Sequence, residues 1–375
     1  MTVADTHDRQ AGSPEDRAQA ILKPLAELGA RYDAAPVFPV ESVKILRDAG
    51  LLHSFAPPEC GGDIFADCQH QNACMMSVLR IIGRADLSVG RLYEGHVNAL
   101  LLFDWFGSPT QRARLRQELD AGALYGVWAT EPPPGVQIAS TGQGSVLDGA
   151  KSFATGAGGL TYAIITAQAA EGPRRLVIAR ANDGARTDLS QWRVRGMRAT
   201  GSGRYDLTGM LVEADDLLGA AGDYDLEPAF TTGAWRFTAV QLGGIEALLT
   251  ETRDAMTTAA RADPLQRAKF ADAVAATRTA YLWVRECAGR AAAQDADGPA
   301  FARMTRGIVE RAALDVMELA SRIVGTRSAM DGHRIDKIIR DLSLYLRQAG
   351  PDYAKDQAAI TWLDHDAWGS GDTLW

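Results

Sequence analysis

The strongest constraint on how this 375-residue chain can fold is a change of hydrophobic period that occurs twice. From about residue 14 to 122, apolar residues recur every three to four positions, as in "EDRAQAILKPLAELGARYDA" and "PVESVKILRDAGLL", the spacing of amphipathic helices. From about 123 to 226 the stretches become short and β-branched or alternating: "LYGVWAT", "YAIITAQ", "RRLVIAR", "RYDLTGMLVEADDLL". Glycine-rich turns separate them, the mark of an antiparallel β domain. From about 227 to 375 the helical period returns in long amphipathic runs that end in an irregular "DHDAWGSGDTLW". Helices, then strands, then helices, implies an α+β multidomain chain rather than alternating βαβ units. The expected parts are a loose tail over 1–13, an N-terminal α domain over 14–122, a middle β domain over 123–226 and a C-terminal α domain over 227–375.

Punctuation supports this division. "FAPPECGGD" carries two prolines and two glycines and ends a helix pair. "GSPTQ" predicts a helix start capped by Ser108, with Pro109 at the first helical position. Gly243 and Gly244 interrupt a helical run, where small residues let a second helix or a ligand approach closely.

Charge and composition exclude some functions. A net charge of −8 argues against a nucleic-acid binder, which needs a basic face to neutralise phosphates. The start, "MTVADTHDRQAGSPEDRAQA", is polar and lacks the apolar run of a signal peptide. "NALLLFDWF" is too short to span a bilayer. Four cysteines without metal-site spacing read as reduced thiols. A cytoplasmic protein with no nucleic-acid or membrane partner is expected.

Five stretches in order carry a resemblance. "LLHSFAPPECGGD", "YGVWATEPPPG", "LDGAKSFATGAG", "WRVRGMRATGSGRYDLTGMLV" and "RDLSLYLRQAGPD" resemble the corresponding segments of the acyl-CoA dehydrogenases, from about residue 15 to 352. The resemblance implies that family's fold: an N-terminal α-helical domain, a central antiparallel β domain and a C-terminal four-helix bundle. It also implies FAD, with FMN or another reduced flavin as the alternative, and a homodimer or homotetramer whose subunits complete one another's sites. By the same likeness Trp128, Ala129 and Thr130 on one strand, and Phe153, Ala154 and Thr155 on another, would contact the flavin ring. Backbone N–H and hydroxyl groups there would tune its polar edge.

Departures matter as much. The family's phosphate-holding serine falls on Val136, leaving backbone amides or Ser140 to replace it. A family segment near the adenosine of FAD corresponds to "RIVGTRS", with Arg322 in place of glutamine and Gly325 retained. Arg322 and Arg327 either rebuild a phosphate site, since the guanidinium fork matches phosphate oxygens, or are solvated helix-end cations.

The catalytic glutamate is missing. Nine residues after Arg340 the position is Ala349, within "QAGP", and alanine takes no proton. The family's second base position falls on Ala234 or Trp235. Glu246 lies 11 residues beyond Trp235, about 16 Å along a helix. Weaker candidates are Asp352, though "PDYAKDQAA" reads as a helix start, His96, and Arg236 as a ligand for an acidic substrate or an oxyanion. The main expectation is therefore a specialised FAD-dependent oxidoreductase of acyl-CoA dehydrogenase type, acting on a small-molecule or acyl-thioester substrate with an electron-transfer partner. The alternative is a flavin monooxygenase fed reduced flavin by a separate reductase. A catalytically silent scaffold of the same fold is the third reading.

Overall fold

The computed structural model describes residues 12–142, 144–348 and 350–363. Most of the expected N-terminal tail, the "DHDAWGSGDTLW" segment and Ala349 lie outside the described residues.

Among the described residues five helices come first: α1 (Pro14–Ala34), α2 (Val40–Asp48), α3 (Cys68–Ala85), α4 (Leu87–Phe106) and α5 (Pro109–Asp120). α5 starts as its sequence predicts. Ser108 and Gln111 form a reciprocal capping box, and Pro109 takes the first turn. α4 is apolar on nearly all sides, so it is enclosed and serves as a central post between α3, β1 and α7.

Ten strands follow: β1 (Tyr125–Trp128), β2 (Gln137–Thr141), β3 (Gly144–Asp148), β4 (Ala150–Ala154), β5 (Tyr162–Ala167), β6 (Arg175–Arg180), β7 (Thr187–Asp188), β8 (Gly203–Asp206), β9 (Leu211–Val212) and β10 (Leu217–Leu218). They form sheets in the orders β1-β5-β6-β10, β2-β3-β9 and β4-β8-β7. The strand pairings are antiparallel except for β1 with β5, which run parallel with Tyr125 opposite Tyr162. The crossover is long enough for this because β2, β3 and β4 lie between the two strands in sequence.

The C-terminal part comprises α6 (Ala229–Thr232), α7 (Trp235–Ala255), α8 (Thr258–Ala262), α9 (Pro264–Ala292), α10 (Gly298–Val324), α11 (Arg334–Tyr345) and α12 (Pro351–Leu363). α7, α9 and α10 pack on one another, with α11 against α7 and α12 against α10. The small residues of α7 do what their positions suggest. A Cβ on Gly243 would lie 2.2 Å from the Arg80 carbonyl oxygen, and one on Gly83 would lie 2.3 Å from that of Val240. Glycine on both sides lets α3 and α7 cross almost backbone to backbone.

The three parts are tied together under α11. Lys337 Nζ bridges Asp86 Oδ2 at 2.7 Å and Asp341 Oδ2 at 2.6 Å, all three buried. The second Asp341 oxygen accepts the Met197 backbone N–H at 2.5 Å. Arg340 reaches Asp33, Asp336 and the Arg195 carbonyl oxygen. The Arg340–Asp341 pair therefore clamps the "GMR" turn between the helical parts. Among the described residues no helix is long and apolar enough to cross a membrane.

Candidate functional site

The strand residues singled out in the sequence lie next to one another. β1 and β4 converge through the Trp128 indole, whose Nε1–H donates to the Thr155 carbonyl at 2.9 Å, and through the Ser152 N–H, which donates to the Thr130 carbonyl at 3.0 Å. Trp128 and Ala154 are buried, Ala129 and Thr155 half-buried, and Thr130 exposed. Ser202 Oγ donates to Thr155 Oγ1 at 3.2 Å, or to Thr200 Oγ1 at 2.9 Å. This runs a line of hydroxyls from β4 into the "GMRATGS" turn.

Phe153 stands apart. β4 slips its register against β8 between Lys151 and Ala154, a bulge that turns one side chain out of the pleat. Phe153 takes φ of +52° and leaves its ring 68 % exposed. Positive φ is costly for a residue with a bulky side chain, and large exposed aromatics are normally avoided. Both costs fall on one residue in the middle of the predicted contact strand.

Beneath it, Lys151 is wholly buried. Its Nζ donates to Thr166 Oγ1 at 2.8 Å and forms an ion pair with Glu131. Burial draws the ammonium down to about 7. The Glu131 carboxylate in contact with it acts in the opposite direction, favouring the charged form. Val136 is fully buried, so it faces the core and not a phosphate.

A second cluster lies on α4. Glu94, only 3 % exposed, receives Arg91 Nη1 on one oxygen and Asn98 Nδ2 at 2.5 Å on the other. Arg236, at the start of α7, donates through Nε to Asn98 Oδ1 at 2.5 Å. Arg91 also lines a narrow crevice of about 10 Å³ with Gly95, Gly126, Val127 and Thr155, room for a single water. The crevice links the cluster to the strands. Sequence reasoning missed Glu94, although "RLYEGHVN" places Arg91, Glu94 and Asn98 on one face of an otherwise apolar helix. Three polar residues at helical spacing in such a run were the available signal.

The second base position and the weaker candidates are equally definite. Trp235 is buried and Ala234 half-buried at the top of α7, and Glu246 is engaged by Arg80 Nη1 at 2.8 Å. Asp352 is exposed in the first turn of α12, the helix start its sequence suggests. His96 is fully buried, away from any such role. Its Nδ1 accepts the Tyr125 N–H at 3.1 Å, so its Nε2–H donates to the Leu52 carbonyl at 2.8 Å. Burial holds its imidazole neutral, with its pKa down to about 4. Arg322 is exposed in the last turn of α10 and paired with Glu318 of the same helix, while Gly325 has φ of +69°. All four cysteines are free, and no metal-binding group occurs among the described residues.

The acyl-CoA dehydrogenase C-terminal domain model matches residues 224–353. A dibenzothiophene monooxygenase from Mycolicibacterium goodii is 24 % identical, over 91 % of this chain and 92 % of its own. Among solved structures, an FMN-bound dibenzothiophene monooxygenase from Paenibacillus sp. superposes with a TM-score of 0.84 at 21 % identity, covering 94 % of this chain and 97 % of that one. A methanesulfinate monooxygenase from Pseudomonas fluorescens gives 0.81 at 21 % identity, with the same two coverages. The helix–sheet–helix architecture is the fold of these solved structures, and residues 224–353 are similar to the acyl-CoA dehydrogenase C-terminal domain.

Proposed function

We propose that the chain is a flavin-dependent monooxygenase that uses reduced flavin delivered by a separate reductase. The observation that carries this reading is the absence of a free carboxylate at the second base position. Ala234 or Trp235 stands there, and the nearby Glu94 has both oxygens occupied by Arg91 and Asn98. A dehydrogenase needs a carboxylate within reach of the proton it removes. An oxygenase does not. Two relatives that span nearly the whole chain are named as monooxygenases, which favours this reading over an acyl-CoA dehydrogenase with FAD.

The strands suit a flat ring. Phe153 offers an exposed aromatic face, Thr130 and Thr155 offer hydroxyls, and Trp128 fixes the spacing between the two strands through the Thr155 carbonyl. Reduced flavin bound there supplies the electrons that activate molecular oxygen. The chain's own part is to hold the ring on β1 and β4, to keep water from the Glu94 cluster, and to position the substrate. FMN is the favoured flavin. Val136 is turned into the core where a phosphate-holding serine is expected, and Arg322 is engaged by Glu318. The partner is a flavin reductase, and the substrate is a small molecule.

The test is to supply NADH and a flavin reductase with FMN, and to follow ¹⁸O from molecular oxygen into dibenzothiophene, indole and a small sulfinate. Labelled product that requires the reductase is the expected outcome. Stoichiometric FAD in the purified protein, together with acyl-CoA-dependent reduction of a dye, would instead establish the dehydrogenase reading.

A further inference from the structure

Among the described residues Arg236 has no acidic partner of its own. Its Nε is bonded to a neutral group, the Asn98 carbonyl oxygen, and its two terminal nitrogens make no hydrogen bond among the described residues. The nearest carboxylate, Glu94, is already engaged by Arg91. The other groups that face it do not neutralise it. Burial keeps the Tyr224 phenol and the Cys287 thiol protonated, the thiol pushed up to about 12, and Arg174 is paired with Asp225. Two arginines and one glutamate therefore leave one positive charge in a largely buried cluster. Burial draws the Arg236 guanidinium below its usual value, the mark of a cation short of compensation.

A second observation points to a ligand. The Trp235 ring lies beside the Arg236 guanidinium, 5.9 Å from ring centre to carbon, and its Nε1–H is buried without a partner. The Tyr345 hydroxyl, in the field of Glu94 and Arg91, is also buried without a partner. Buried donors are nearly always satisfied, and two unsatisfied ones, one on the residue next to the uncompensated cation and one in the field of Glu94 and Arg91, are what an absent acceptor leaves behind. Gly233 leaves the guanidinium room, since a Cβ there would meet Arg236 Nη2 at 2.5 Å.

We propose that Arg236 is the anchor for an oxyanion of the substrate, a carboxylate or a sulfinate, received by the N–H groups of its two free terminal nitrogens. This deepens the oxygenase reading and rests on it for treating the cluster as the substrate pocket. The planar fork suits either oxyanion, bonding two oxygens at once. Asn98 is a positioning residue: it turns the guanidinium by holding Nε and is itself held by Glu94.

Calorimetric titration of the full-length protein with benzoate, with benzenesulfinate and with neutral benzamide tests the assignment, and reduced FMN is titrated separately. Wild type is expected to bind at least one of the two anions at least tenfold more tightly than benzamide. Arg236→Gln should lose at least tenfold of that affinity while its affinity for reduced FMN stays within twofold, and Arg236→Lys should recover part of the loss. The preference between benzoate and benzenesulfinate identifies the class. Equal binding of benzamide, no saturable binding of either anion by wild type, or undiminished anion binding by Arg236→Gln would overturn the anchor. The wild-type comparison decides the matter even where a variant does not fold. Anion binding without any flavin binding would leave the anchor standing and remove the oxygenase reading.

Discussion

Phe153 concentrates cost on one residue, and that cost can be separated from its use. Glycine has no penalty at φ of +52°, whereas an L side chain pays roughly 1 kcal/mol or more there. Because the ring is 68 % exposed, Phe153→Gly removes little packing. It is expected to leave the melting temperature unchanged or a few degrees higher while weakening reduced-flavin affinity severalfold. Calorimetry and flavin titration on one sample check both, and a fall in stability with flavin affinity intact would make Phe153 a structural residue only.

His96 gives a pH dependence of stability at the same scale. Its folded pKa of about 4 lies below the unfolded value near 6.5, so the unfolded chain binds the extra proton between those limits. Its contribution is fully present above pH 6.5 and is lost as pH falls toward 4. The loss amounts to about 3 kcal/mol. Denaturant titrations from pH 7 to 4 should show it, and His96→Gln should flatten that part of the profile.

At the scale of elements, the crossing of α3 and α7 depends on glycine. Gly243→Ala places a methyl group 2.2 Å from a backbone oxygen that cannot rotate away. The helices must separate, at a cost of about 1–3 kcal/mol. A lower urea midpoint with unchanged slope is the expected signature. The β4 bulge and the parallel β1–β5 pairing belong to this scale as well. "LDGAKSFATG" reads as an ordinary alternating strand, because nothing in its local pattern shows where its register against β8 slips. The slip arises from pairing with a strand some 50 residues away. The helix starts at Ser108 and at Pro351 were legible because capping is a local exchange of hydrogen bonds among neighbouring residues.

For the whole molecule, the Asp86–Lys337–Asp341 cluster joins α4, α11 and the turn at Met197. Lys337→Met leaves two buried carboxylates facing each other, and is expected to cost about 3–5 kcal/mol at neutral pH. The cluster's contribution has two edges. Lys337 is held above its usual range by the two carboxylates, so its contribution persists below the unfolded lysine value near 10.4 and fades as pH rises through the folded value. Asp86 is held below its usual range by Lys337 despite its burial, so its contribution is present above about pH 4 and is lost in acid. Asp341, raised by burial, offsets part of that acid loss. Thermal unfolding of wild type and Lys337→Met across this range should converge at both ends.

By itself the sequence determined the order of helices, strands and helices, the two strands that carry Trp128 and Phe153, and the lack of glutamate at Ala349, Ala234 and Trp235. Each is written in local period or in a residue's identity, and needs no knowledge of what lies opposite. Only the tertiary structure decided that Glu94 is held on both oxygens, that His96 is enclosed by backbone groups, that Val136 faces the core, and that Arg236 keeps both terminal nitrogens unbonded among the described residues. Whether a charge is compensated depends on groups brought together from distant parts of the chain, here α4 and α7, 138 residues apart at Asn98 and Arg236. That is a property of the packed molecule, because the energy of a buried charge is set by its neighbours in space and not by those in sequence.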